Sequence, residues 1–192
     1  MSSGDEKASV WTLPNWLSLL RIIFIPAIVY LISTEQPRFL FAACLLFIVA
    51  GITDGLDGLI ARRLSMKSRL GLYLDPIADK LLVSSVLISL SYYKLLPLWV
   101  TLLLVCREFL INGLRSFYAI EGKSIYPSMA GKLKTTFQII GISFILFGSG
   151  VSWVLLGHWS FQDIGTVIIY VALFLSLYSA YRYVHGIFGT RQ

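Results

Sequence analysis

Charge is scarce in this chain. Asp, Glu, Lys and Arg make up 14% of its 192 residues, where a soluble domain carries roughly a quarter. So few ionic groups cannot clothe a water-facing surface. A soluble globular enzyme and a disordered tail are therefore excluded as leading classes. Cysteine and histidine are scarcer still, with two of each. Cys44 and Cys106 lie far apart, each in an apolar run. They make no disulfide framework and read as buried packing thiols. His158 and His185 have no second histidine at ligand spacing and read as interfacial residues. A cleavable leader is not expected, because Met1–Thr12 is polar, carries Asp5, Glu6 and Lys7, and has no small-residue cleavage site behind an apolar core.

Apolar side chains fill the space that charge leaves. Hydrophobic residues make up 57% of the chain, against about 45–50% in a soluble domain. The bilayer must be the solvent for most of that surface. Six apolar stretches stand out: Leu13–Ser33, Phe39–Leu64, Leu74–Tyr93, Leu95–Tyr118, Leu133–Gly150 and Ile164–Val184. Each approaches the ~20 residues a spanning helix needs. The runs are continuous rather than alternating, which favours helices over barrel strands. The expected fold is an all-α integral membrane protein. A six-transmembrane-helix bundle would occupy residues 13–187, between a polar cytoplasmic segment, 1–12, and a cytoplasmic tail, 188–192.

The net charge is +6. In a membrane chain this reads as the cytoplasmic excess of Lys and Arg, with affinity for anionic membrane lipids, rather than as a nucleic-acid surface. With the N-terminus inside, only Arg38 and Lys94 of the 16 Lys and Arg fall at outer ends. Both termini are then cytoplasmic. Trp99, Trp153 and Trp159 fit an outer aromatic belt.

The acidic residues are concentrated where they are least welcome. Asp54, Asp57, Asp75 and Asp79 lie in TDGLDGLIARRLSMKSRLGLYLDPIADK. A carboxylate in a spanning helix costs about 2.5–3.5 kcal/mol, so four without partners would cost on the order of 10 kcal/mol. Asp54 and Asp57 (i, i+3) share one helix face, and Asp75 and Asp79 (i, i+4) share another. The short link Ser65–Arg69 makes the second and third helices antiparallel neighbours, with the two pairs facing each other at the inner end. Such carboxylates repel unless cations lie between them. An all-oxygen set suits a hard divalent ion, Mg²⁺ first and Mn²⁺ as substitute. Two ions about 4 Å apart would make a phosphoryl-transfer centre. Gly58 and Gly71 clear bulk beside the acids, and Arg62 suits a phosphate. Gly51 and Gly55 form a small-xxx-small packing pair.

The pattern Asp54-x-x-Asp57-Gly58-x-x-Ala61-Arg62-x8-Gly71-x3-Asp75-x3-Asp79 resembles the complete signature of the CDP-alcohol phosphotransferases. The resemblance implies a six-helix membrane enzyme, usually a homodimer, with its active site at the cytoplasmic end. It implies that an alcohol hydroxyl displaces CMP from a CDP-linked lipid. By carry-over, the four aspartates hold two metal ions per site and Asp79 is the general base. Gly58, Ala61, Arg62 and Gly71, with Ser68 in the intervening link, would shape the CDP pocket. LPNWLSLLR (Asn15, Ser18, Arg21) is similar to the family's N-x-x-[ST]-x-x-R opening, used near the CDP moiety; serine stands where threonine is common.

CREFLINGLR (Arg107, Glu108, Arg115) and GKLKTTFQ (Lys132, Lys134) are similar to the branch of that family whose acceptor is sn-glycerol 3-phosphate. Chemically, Arg107, Arg115, Lys132 and Lys134 would make a cationic pocket for an acceptor bearing its own phosphate. Arg107 and Glu108 also admit a plain scaffold reading as a buried pair. The expected substrates are CDP-diacylglycerol and sn-glycerol 3-phosphate, at a bacterial cytoplasmic membrane. One rival is a family member taking phosphatidylglycerol as acceptor, a cardiolipin synthase. Another is a divalent-cation transporter, disfavoured because Arg62, Lys67 and Arg69 would repel a passing cation.

Overall fold

A computed structural model describes residues 13–64, 69–120, 129–151, 154–156 and 159–189. Six helices account for nearly all of these: α1 (Leu13–Ser33), α2 (Pro37–Leu64), α3 (Arg69–Tyr92), α4 (Leu98–Ile120), α5 (Met129–Gly150) and α6 (Phe161–Gly189). Each apolar run has become a helix. Most extend into polar sequence at one end, because helical hydrogen bonding continues past the hydrophobic boundary until a stop intervenes. Lys94 supplies one such stop after α3. Its φ of 59° is left-handed, and the amides of Leu95 and Leu96 return to the Leu90 carbonyl at 2.8 and 3.3 Å. At the start of α6, the Ser160 hydroxyl accepts from the Asp163 amide at 3.2 Å. The Asp163 carboxylate in turn accepts from the Ser160 amide at 2.9 Å. This is a reciprocal cap of the Ser-x-x-acid type.

Between α5 and α6 lie two short strands, β1 (Val154–Leu156) and β2 (Trp159–Ser160), paired antiparallel with Leu156 opposite Trp159. The all-helical expectation missed them, because pieces of three and two residues are too short to show a period of two.

α1 packs extensively against both α2 and α3, while α2 and α3 meet only sparsely among the described residues. The inner ends of α2 and α3, where the acid pairs are expected to face each other, have side chains outside the described residues.

The core joins Ile28, Phe47, Leu87, Leu104, Ile142 and Ile169, from all six helices. The outside is equally apolar. Ile23, Val49, Ile88, Leu102, Phe109, Leu133, Phe174 and Leu177 are exposed. Contiguous apolar surface of this extent is foreign to a water-soluble monomer. Leu133–Gly150 and Phe161–Gly186 are long and apolar enough to cross a membrane. Cys44 is buried, as expected, but Cys106 is exposed. It shares an outward face with Leu102, Leu103, Phe109 and Leu110. A helix that is apolar all round does not reveal in its sequence which side is covered.

α5 and α6 form the most extensive helix pair, and glycine makes their close approach possible. A Cβ on Gly165 would fall 2.7 Å from the Ile145 amide nitrogen and 2.8 Å from the Gly141 carbonyl. A Cβ on Gly141 would fall 2.8 Å from Ile169. Replacing Gly165 with leucine should therefore force the helices apart and destabilise the protein by about 1–3 kcal/mol, as overpacking does. Thermal unfolding in detergent reads this as a lower Tm; an unchanged Tm would show that the crossing tolerates bulk.

Candidate active site

The charged residues of the described core gather around two adjoining cavities, and Asp79 borders both. The first, about 250 Å³ with its open mouth included, is lined by Arg21 from α1, Phe47, Ala50 and Gly51 from α2, Asp79, Leu82 and Val83 from α3, and Ile139 from α5. Arg21 is 1% exposed, so its guanidinium belongs to this interior. Gly51 faces Ile139 across the α2–α5 contact, where an added Cβ would lie at 3.8 Å. A side chain would fit there at ordinary contact distance, so the approach does not require glycine, and Gly55 lies outside the residues whose packing is described.

The second cavity, of about 330 Å³ with its mouth included, has an apolar wall of Val83, Leu87, Leu104 and Val105. Its polar wall is Asp79, Lys80, Ser84, Glu108, Lys134, Thr135 and Gln138. Helical spacing explains the membership. Asp79 and Val83, Lys80 and Ser84, and Lys134 and Gln138 are each four residues apart and share a face. Apolar backing beside a few convergent polar groups is the usual form of a small-molecule site.

Glu108 organises the polar wall. Its Oε2 lies 3.3 Å from an Arg107 guanidinium nitrogen and is also paired with the Lys134 ammonium. The Arg107 Nε donates to the Ser176 carbonyl on α6 at 2.9 Å. One carboxylate thus holds cations from α4 and α5, and one of those cations reaches α6. Lys80 and Asp79 lie within electrostatic reach of Lys134, and Arg115 within reach of Arg107. Arg115 itself is exposed, one helix turn or more beyond the cavity wall.

The sequence-derived site residues divide as follows. The structure brings together Arg21, Asp79, Arg107 and Lys134, with Arg115 at the margin. Asn15 and Ser18 fall in α1, Asp54, Asp57, Gly58, Ala61 and Arg62 in α2, Asp75 and Gly71 in α3, and Lys132 in α5. The side chains of these ten lie outside the described residues, and Ser68 lies outside them altogether. Sequence reasoning left Lys80, Ser84, Thr135, Gln138 and Ser176 without a role. The i+4 spacings from Asp79, Lys80 and Lys134 held the signal for the helix-face members. Nothing in the sequence marked a backbone carbonyl at Ser176.

A family model described as CDP-alcohol phosphatidyltransferase matches residues 11–178. Several curated proteins named CDP-diacylglycerol–glycerol-3-phosphate 3-phosphatidyltransferase are similar to the chain. The one from Rickettsia bellii is 38% identical over 172 residues, covering 89% of this chain and 92% of its own. That from Bacillus subtilis is 34% identical over 186 residues, covering 91% and 94%. That from Shigella flexneri serotype 5b is 38% identical over 183 residues, covering 90% and 93%.

Because Arg107 ties α4 to α6 and shares Glu108 with Lys134, its loss should be felt in stability. Arg107→Met keeps the apolar stem but removes the Ser176 bond and half the compensation of Glu108. A loss of about 1–3 kcal/mol is expected. Denaturant unfolding in detergent measures it; wild-type stability would mean the tether carries no load.

Proposed function

We propose, from the premise that this chain belongs to the CDP-alcohol phosphatidyltransferase family, that it transfers the phosphatidyl group of CDP-diacylglycerol to sn-glycerol 3-phosphate and releases CMP, a step in phospholipid biosynthesis. The observation that carries this reading is the place of Asp79 on the boundary between two cavities, one holding Arg21 and the other Lys134. A transferase that joins two anionic substrates needs a proton acceptor between two cationic subsites.

In this reading the CDP head lies toward Arg21, with Asn15, Ser18, Gly58, Ala61, Arg62, Ser68 and Gly71 shaping its pocket. The diacyl chains stay among lipid along the apolar exterior. The acceptor phosphate is held by Lys134 and Arg107, with Lys132 and Arg115 toward the entrance. Asp79 takes the proton from the acceptor's C1 hydroxyl. That oxygen then bonds to the phosphorus bearing the diacylglycerol, the anhydride bond from that phosphorus to CMP breaks, and CMP leaves with the electron pair. Arg62 and Arg21 would offset the charge that accumulates on the departing phosphate.

The donor set of Asp54, Asp57, Asp75 and Asp79 is carboxylate oxygen throughout, and Asp79 borders the cavities, so it fits a hard divalent cation. Those four would hold Mg²⁺, with Mn²⁺ as substitute, at two ions per site. Such ions, when bound, neutralise pyrophosphate charge.

The apolar exterior of the helices supports a six-span arrangement, and the Lys and Arg asymmetry supports an active site and both termini on the cytoplasmic side of a bacterial inner membrane. A homodimer is the assembly this reading favours.

Purified protein given CDP-diacylglycerol should form CMP with sn-glycerol 3-phosphate as acceptor and not with phosphatidylglycerol. EDTA should stop the reaction and Mg²⁺ restore it. Turnover only with phosphatidylglycerol would assign the chain to cardiolipin synthesis, and cation flux without CMP would make it a transporter. Asp79→Asn should keep the wild-type elution profile in detergent while CMP release falls by roughly 10²-fold or more, the range for losing a general base. Normal release by that variant would refute the base assignment.

A further inference from the structure

Glu108 is an anion in a place meant, on the reading above, for anions to bind. Its side chain lines the same cavity as Asp79 and Lys134, and its carboxylate pairs with both Lys134 and Arg107. The two cations are nearly enclosed, with side chains 4% and 9% exposed, whereas Glu108 is 26% exposed. A purely structural buried triad would hide its carboxylate as deeply as its cations, because the carboxylate is the group both of them need. Here the shared acid is the most exposed of the three and lines the cavity together with Lys134.

The geometry also shows what the acid does to the cations. Arg107 and Lys134 come from different helices, carry like charge and would splay apart without a shared counter-ion. Arg107 is further fixed by its bond to the Ser176 carbonyl on α6. Glu108 draws the Lys134 ammonium toward that fixed guanidinium. The result is a fixed pair of cationic heads, Lys134 on the cavity wall and Arg107 behind Glu108, carrying with that carboxylate one net positive charge before any ligand arrives. A phosphate in the cavity would meet the Lys134 ammonium directly and feel the Arg107 charge behind it, and preorganisation lowers the ordering penalty of binding there.

We propose that Glu108 is a positioning residue, which ties Lys134 to the anchored Arg107 and so sets the Lys134 ammonium at the cavity wall for the phosphate of the acceptor alcohol. The proposal rests on the reading that the acceptor is a phosphorylated alcohol. It adds a residue that touches the cations rather than the substrate.

The test compares wild type, Glu108→Gln and Glu108→Asp, each as the full chain in detergent. KM for sn-glycerol 3-phosphate, KM for CDP-diacylglycerol and kcat are measured separately. Glu108→Gln preserves volume and removes the charge. Its KM for sn-glycerol 3-phosphate should rise roughly 10-fold or more, the scale on which residues that orient a binding group act, while its KM for CDP-diacylglycerol stays at the wild-type value. An unchanged acceptor KM would overturn the proposal. A lowered one would overturn it too, because Glu108 would then be a competitor for the cations. Should the glutamine variant not accumulate in folded form, Glu108→Asp withdraws the carboxylate by one methylene and carries the same reading. A wild-type acceptor KM in that variant would also overturn the proposal.

A second measurement separates this idea from the assignment of the reaction. Inorganic phosphate should raise the Tm of wild type and do so less for Glu108→Gln. If wild type forms no CMP with sn-glycerol 3-phosphate, the proposed reaction fails, yet the phosphate-dependent Tm still decides the role of Glu108. Equal protection of wild type and variant would count against it.

Discussion

Ionised groups inside an apolar helix bundle have to be collected and made to compensate one another, and the pairing of Glu108 with Arg107 and Lys134 is where this chain meets that requirement. An isolated buried ion is far costlier than a paired one. With lipid outside and a hydrocarbon core within, neither surface can absorb a stray charge. The outcome is segregation. Ile28, Leu87, Ile142 and Ile169 build a core without charge, and the ionic residues of α1, α3, α4 and α5 converge on two small cavities. The helix packing follows the same logic: glycines at 141 and 165 bring α5 and α6 close, which places Lys134 and Ser176 on adjacent elements that Arg107 can reach.

Asp79 takes its meaning from that segregation. It is a carboxylate on a helix face, bordered on one side by the Arg21 cavity and on the other by the Lys134 cavity. Neither cavity alone would distinguish a transferase from a binding protein. On the proposed reading, two cationic chambers with one shared acid would provide for two anionic substrates and a proton moving between them. The similarity to phosphatidyltransferases over about nine-tenths of the chain points the same way.

The helices were legible because long continuous apolar runs admit one backbone solution in lipid. Leu13–Ser33 kept its expected bounds, α2, α3, α5 and α6 extended by a few residues, and α4 shifted to begin after Pro97. The acid motif was legible because carboxylates in spanning helices are too costly to be accidental. Other features depended on lateral packing, which no local pattern encodes. The packing of α1 against both α2 and α3 is one of these. The outward turn of Cys106 is another, because the apolar residues around it give no sign of which face is covered. Glu108 was visible as the neighbour of Arg107, but its partnership with Lys134 joins residues on separate helices. The two-stranded piece between α5 and α6 was too short for any periodicity to announce.

The central claim is that the carboxylates of α2 and α3 converge with Asp79 on a divalent cation beside the two cavities. Anomalous diffraction at the manganese edge, from crystals grown with Mn²⁺ and a CDP-lipid, tests it most directly. The account predicts one or two strong peaks within coordinating distance of Asp54, Asp57, Asp75 and Asp79. Ordered density for those side chains with no peak between them, or peaks only at the lipid-facing exterior, would contradict it.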